Sequence, residues 1–242
     1  MPKEGAGSEE CEDAIGVNVE ALRFAVADGA TEAFDAGSWA RALAESWAGA
    51  GAAPLTPAEF RPWVEAQGAR LRETWGGRAL PWYAEEKARA GSFAAFVGIA
   101  FEAGAGGVLR WRAVALGDAC LVQRRGGRIL AAMPLDRPGD FNSSPPLVPS
   151  RPAALDAAMS HAVAAGGAAE EGDAFFLLSD AVAAWFLQLC EDRAPLLAEL
   201  DARLAASDDA ALAELFRAER RAGRIKDDDV AIVRIVVGGG GG

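Results

Sequence analysis

The chain has 242 residues, 51% of them hydrophobic, with a formal net charge of −11, one histidine and three cysteines. This length accommodates one large domain with a sizeable core, and the acidic balance excludes nucleic acid and anionic membrane surfaces as bulk electrostatic partners. The lone histidine, His161, excludes zinc sites built on several histidines, and three cysteines without Cys-x-x-Cys spacing read as reduced thiols of a cytoplasmic protein, so any metal chemistry must use oxygen ligands suited to Mg²⁺ or Mn²⁺.

Residues 1–10 are polar and acidic, unlike a signal peptide, and no apolar run reaches the roughly 18 residues a membrane span needs. Residues 14–18 and 23–27 read as two strands of a hairpin. A helix opens at Gly37-Ser38 and runs to about Ala48, with Trp39, Leu43 and Trp47 on one face. Thr56-Pro57-Ala58-Glu59 is a capping box, with proline in the first turn, for a helix ending near Trp75. Residues 82–90 are charged and helical. Four short apolar segments, 92–102, 108–116, 119–124 and 127–133, separated by glycine-containing turns, read as an antiparallel meander. The proline-rich residues 134–152 read as a long surface loop. A strand at 174–178, helices at 180–189, 195–206 and 208–222, and a strand at 230–237 complete the chain. This order is not a regular βαβ alternation. It predicts an α+β fold of antiparallel sheets covered by helices.

Three acidic segments stand at the ends of runs that read as buried strands: Ala27-Asp28-Gly29, Leu178-Ser179-Asp180 and Lys226-Asp227-Asp228-Asp229, with Glu12-Asp13 upstream of the first strand. Carboxylates there are costly unless a cation meets them. The sequence offers few cationic partners, so a divalent metal is the natural candidate. Each motif has a plainer reading. Asp-Gly is a common turn signal, Ser179-Asp180 can cap the following helix, and runs such as Glu9-Glu10-Cys11-Glu12-Asp13 are usually solvated. At least one of Asp227, Asp228 and Asp229 is expected to be merely solvated.

Taken in order, Glu12-Asp13-Ala14, Val26-Ala27-Asp28-Gly29, Gly117-Asp118, Ser179-Asp180 and Asp228-Asp229-Val230 resemble the metal-dependent protein phosphatases of type 2C, in a bacterial form. The resemblance spans nearly the whole chain. It implies a four-layer α-β-β-α sandwich, two antiparallel sheets flanked by helices, as a single domain over 1–237. A helical insertion falls at about 54–91, and 238–242 form a flexible glycine tail. It implies two Mn²⁺ or Mg²⁺ ions, with Asp28 bridging, the Gly29 carbonyl on one ion, Asp180 and Asp228 on the other, and Asp13 or Glu12 bound directly or through water. Asp118 matches a position that helps hold an additional, weaker ion. Asp28, Asp180 and Asp228 then carry catalysis. Two such ions share a water, lower its pKa and offset phosphoryl charge, so no protein nucleophile is needed. The implied substrate is phosphoserine or phosphothreonine in a phosphorylated protein, and the implied partner is a serine/threonine kinase. The alternative is a weak or inactive pseudophosphatase that binds phosphoproteins or a kinase.

The chain departs from the family pattern in several places. No arginine precedes Glu12-Asp13 to grip phosphate; Ser8-Glu9-Glu10-Cys11 stands there, leaving Arg41 and Arg151 as candidates. Ala30 stands where some relatives have a histidine general acid, Ala119-Cys120 where Ser-Arg is frequent, and Ala184 where many keep an aspartate. These substitutions argue against the additional ion and leave the main carboxylate set intact.

Overall fold

Alternation along strand β2 (Arg23–Gly29) sets the layers, because successive side chains leave a strand on opposite faces. The computed structural model describes residues 1–49, 51–75, 82–104, 108–192 and 194–238. Phe24 and Val26 point into a core between two sheets, while Ala25 and Ala27 point into a core under helices.

The first sheet has the order β1 (Asp13–Asn18), β2, β3 (Phe93–Ala103), β4 (Leu109–Leu116), β8 (Val163–Ala169), with the two-residue β7 (Val148–Pro149) also pairing with β3. The second has the order β10 (Ile232–Val236), β9 (Asp173–Leu178), β5 (Cys120–Arg125), β6 (Arg128–Met133). Both are antiparallel throughout. Val97, Ile99 and Trp111 of the first sheet meet Leu121, Phe175, Leu177 and Val233 of the second. The Phe175 ring lies edge-on to Phe101 and Trp111, at 5.0 and 5.7 Å between centroids.

Helices α1 (Ala36–Ala48) and α2 (Pro57–Trp75) cover the outer face of the first sheet, burying Trp39, Leu43, Trp47, Phe60 and Val64 against Phe96. The Trp39 and Trp47 indole N–H groups donate to the Val148 and Ile99 carbonyls, so these large rings are buried without an orphaned donor. The capping box forms as predicted: the Glu59 N–H donates to Thr56 Oγ1, and the Thr56 hydroxyl donates to Glu59 Oε2. Helices α5 (Asp180–Asp192), α6 (Ala194–Ala206) and α7 (Asp209–Arg221) cover the second sheet, packing Val182, Phe186, Leu200, Leu215 and Phe216 on Phe176 and Leu178. Helices α3 (Trp82–Ala90) and α4 (Leu155–Met159) complete the described set. The result is the predicted α-β-β-α sandwich. Among the described residues, no helix is long and apolar enough to cross a membrane.

Two expectations need correction. The four segments over 92–133 are not one meander: β3 and β4 belong to one sheet, β5 and β6 to the other. The chain changes sheet at Gly117, whose φ of +111° and close approach to Ala95 leave no room for a side chain. Residues 134–152 are not wholly a surface loop, because Val148 is fully buried and Ser150 nearly so; Ser150 Oγ accepts the Ser92 N–H at 2.8 Å. Strand β8 and helix α4 were not expected from the sequence. Residues 239–242 of the glycine tail, and the side chains of Trp82 and Tyr83, lie outside the described residues.

Candidate active site

The acidic motifs gather at one end of the sandwich because each lies where a strand of one sheet or the other starts or stops. Asp13 opens β1 and is paired directly with Asp28 across the antiparallel register, so the two carboxylates share a face. In β2, Asp28 has the same parity as Phe24 and Val26, which points it between the sheets. Asp180 follows β9 and starts α5; its backbone N–H donates to Asp28 Oδ2 at 3.3 Å. Ser179 ties the ends of β9 and β10 together. Its hydroxyl oxygen accepts the Ala231 N–H at 2.9 Å, and its own N–H donates to the Ala231 carbonyl at 3.1 Å. That pair sets the approach to β10, and with it Asp228, beside the start of α5.

The three consecutive aspartates before β10 have three different environments. Asp229 is buried, accepting the Lys3 N–H at 2.8 Å and the Glu12 N–H at 2.7 Å. Asp227 is exposed and accepts the Glu4 N–H at 2.9 Å. Asp228 faces Lys226, whose ammonium lies 2.7 Å from Asp228 Oδ2 and 3.4 Å from Asp180 Oδ2. Asp118, buried in the turn between β4 and β5, lines a cleft of about 470 Å³ with Asp180, Lys226, Arg224, Trp185 and Gln188.

Burial dominates the electrostatics. Both Asp13 carboxylate oxygens are enclosed and accept no hydrogen bond. Desolvation pushes the Asp13 carboxyl up to about 7, with Asp229 and Asp180 adding to the rise; the Ser179 hydroxyl acts in the opposite direction without reaching hydrogen-bond geometry. Desolvation, then the charges of Asp13 and Asp180, also holds Asp28 well above the usual carboxylate range. Asp118 is raised to about 6, by burial first and Asp180 second. Lys226 goes the other way. Partial desolvation works against its charge, but Asp228 and Asp180 overcome it and keep the ammonium more firmly protonated than usual.

No family model and no curated protein sequence matches this chain. Solved structures do. The serine/threonine phosphatase PstP/Ppp of Mycobacterium tuberculosis superimposes with a TM-score of 0.58 at 18% identity, over 99% of this chain and 97% of that one. PppA of Pseudomonas aeruginosa, a key regulatory component of T6SS, gives 0.57 at 20% identity, over 93% and 91%. The catalytic domain of PstP in complex with two manganese ions gives 0.56 at 18%, over 98% and 96%.

The chain has the type 2C phosphatase fold.

Within this fold, the structure brings Asp13, Asp28 and Asp180 together and places Asp228 and Asp118 beside them. Gly29 ends β2, with its N–H donating to the Glu12 carbonyl at 3.2 Å. Glu12 turns to a different cleft, which it lines with Ser38 and Arg41. Arg151, one candidate for gripping phosphate, donates to the Ala88 carbonyl instead. His161 is exposed in the turn after α4.

Among the described residues, no group of three or more His, Cys, Asp or Glu side chains is gathered closely enough to hold a metal ion as it stands. The fit to divalent ions divides the site in two. On the Asp13–Asp28 side, desolvated carboxylates supply hard oxygen donors with no salt bridge among the described residues and only the N-terminal ammonium acting against their charge, which suits Mg²⁺ or Mn²⁺. On the Asp180–Asp228 side, a cation is already present in Lys226. This corrects the expectation that few cationic partners stand near the carboxylates. The signal was a lysine inside an acidic run, two residues before Asp228, close enough for one tight turn to aim both side chains the same way: the Asp228 N–H donates to the Lys226 carbonyl at 2.9 Å.

Proposed function

We propose that this protein is a divalent-metal-dependent phosphatase that removes phosphate from serine or threonine in proteins. One observation carries the reading: in a fold shared with phosphatases, Asp13 and Asp28 are paired across the strand register, both Asp13 carboxylate oxygens are enclosed without a hydrogen-bond partner, and among the described residues neither carboxylate forms a salt bridge. A domain keeps such a costly arrangement when a cation completes it. Asp13, Asp28 and the Gly29 carbonyl would hold the ion, with Asp180 adjacent. When bound, the ion supplies Lewis-acid activation of water and charge neutralisation at the phosphoryl group.

The chain's own residues do the rest. Asp180 is fixed to Asp28 through its backbone N–H, and Asp228 to Lys226, so the carboxylates are positioned before substrate arrives. The cleft offers two cationic side chains, Lys226 and Arg224, beside the apolar surfaces of Phe141 and Trp185. That combination suits a phosphorylated side chain carried on a peptide. Arg224 is held by Glu219 through two hydrogen bonds, at 2.6 and 2.5 Å. The substrate ester requires a serine/threonine kinase to form it, and such a kinase is the natural partner.

The test is hydrolysis of an aryl phosphate with Mn²⁺, with Mg²⁺ and with chelator, beside Asp28→Asn. Metal-dependent turnover that the substitution abolishes supports the reading; turnover that survives chelator removes it. A second reading, a phosphoprotein-binding module with little turnover, is favoured by the Lys226 ammonium among the carboxylates and by the absence of arginine at 8–11. It expects phosphopeptide binding that persists when Asp28 is replaced.

A further inference from the structure

Resting on the metal-dependent reading, we infer that Lys226 is a built-in cation standing in place of a second divalent ion, so that the centre takes up one ion, on the Asp13–Asp28 side. Three observations support this.

First, the ammonium is placed by the chain itself. The turn that carries the Asp228 N–H to the Lys226 carbonyl sets both side chains toward Asp180, and Asp227 and Asp229 anchor the same turn to the N-terminal segment through Glu4 and Lys3. An intramolecular cation is present at high effective concentration, and a dissolved ion must displace it.

Second, the spacing suits nitrogen. The distances of 2.7 and 3.4 Å from Lys226 Nζ to Asp228 and Asp180 are those of charge-assisted hydrogen bonds and ion pairs. Oxygen ligands to Mg²⁺ sit at about 2.0–2.1 Å, so a metal between these two carboxylates requires Lys226 to leave.

Third, the counter-charge is uneven. Asp180 and Asp228 have Lys226, whereas Asp13 has two buried oxygens with no partner. An ion entering the site gains most where charge is least compensated. A fixed ammonium also provides, without a second metal, the positive charge that phosphoryl oxygens need.

The experiment is the Mn²⁺ stoichiometry of the full chain by equilibrium dialysis, with electron paramagnetic resonance distinguishing isolated from spin-coupled Mn²⁺. The comparison set is wild type, Lys226→Ala, Lys226→Met, Lys226→Arg and Asp13→Asn. The expected result is one isolated ion in wild type and in Lys226→Arg, two coupled ions in Lys226→Ala and Lys226→Met, and loss of the wild-type ion in Asp13→Asn. The Lys226 side chain is 65% exposed, so its replacement leaves the core intact, and circular dichroism checks this. Two ions in wild type, or a single ion in both Lys226→Ala and Lys226→Met, overturn the role of Lys226 while leaving the metal-dependent reading standing. No ion in wild type overturns both.

Discussion

Replacing Asp13 by asparagine should stabilise the metal-free protein, although it removes a residue proposed to hold the ion. Burial sets the Asp13 carboxyl at about 7 instead of 3.8. At about 1.36 kcal/mol per pKa unit, ionising it inside the fold costs on the order of 4 kcal/mol. The sign follows from linkage: the folded state holds this proton more tightly than the unfolded chain, so the favourable contribution is complete below about pH 3 and is lost as pH rises through about 7. Asparagine is neutral throughout and as poorly partnered as the protonated acid. The gain should therefore be under about 1 kcal/mol at pH 4 and rise to roughly 4 kcal/mol at pH 8. Urea unfolding of both proteins in chelator at these pH values measures it. Saturating Mn²⁺ should reverse the order by stabilising only the wild type, because a ligand of the folded state alone raises its stability. Asp13→Asn being less stable than wild type in chelator at pH 8, or a difference independent of pH, would refute the argument that Asp13 is a buried charge awaiting a cation.

Gly98→Ala would place a methyl group 2.5 Å from Trp47 Cε2, in a ring that is 1% exposed; overpacking of this kind should cost about 1–3 kcal/mol in thermal or urea unfolding. Asp229→Ala frees the backbone N–H groups of Lys3 and Glu12, which donate to it at 2.8 and 2.7 Å. A loss of about 2–3 kcal/mol is expected, with faster hydrogen exchange confined to the N-terminal segment and residues 226–230. Burial is the leading cause raising all three thiols, Cys120 to about 12 and Cys190 to about 11, with Cys11 raised less. Iodoacetamide at pH 7.5 should therefore label the native protein far more slowly than the urea-unfolded chain, by mass spectrometry.

The framework of this fold was readable wherever a hydrophobic period met a chemical stop. Val26 and Ala27 lead into Asp28-Gly29, and Leu177 and Leu178 into Ser179-Asp180, because a buried strand that ends at a carboxylate has reached the rim of the core. The start of α2 was readable because Thr56 and Glu59 satisfy each other's polar groups locally, independent of tertiary context. Strand β8 was not readable. It is composed of Val163, alanine and glycine, it forms an edge, and most of its residues are exposed, so it carries neither alternation nor bulk. The division of residues 92–133 between two sheets was hidden for a different reason. A tight glycine turn between apolar strands signals a hairpin equally well, and only the packing of Gly117 on Ala95 shows that the chain changes layer. At the site, the carboxylates were visible as strand ends. Lys226 was not, because its meaning depends on Asp180, which is 46 residues away in sequence.

The most direct test of the central claim is phosphate release from a phosphothreonine peptide by the purified full chain as Mn²⁺ is titrated, with Asp28→Asn measured in parallel. The expected result is turnover that rises with Mn²⁺ to saturation, disappears in chelator and is absent from the folded Asp28→Asn protein. Turnover unaffected by chelator or by Asp28→Asn, or none at any Mn²⁺ concentration in folded wild type, would contradict a metal-dependent phosphatase built on these carboxylates.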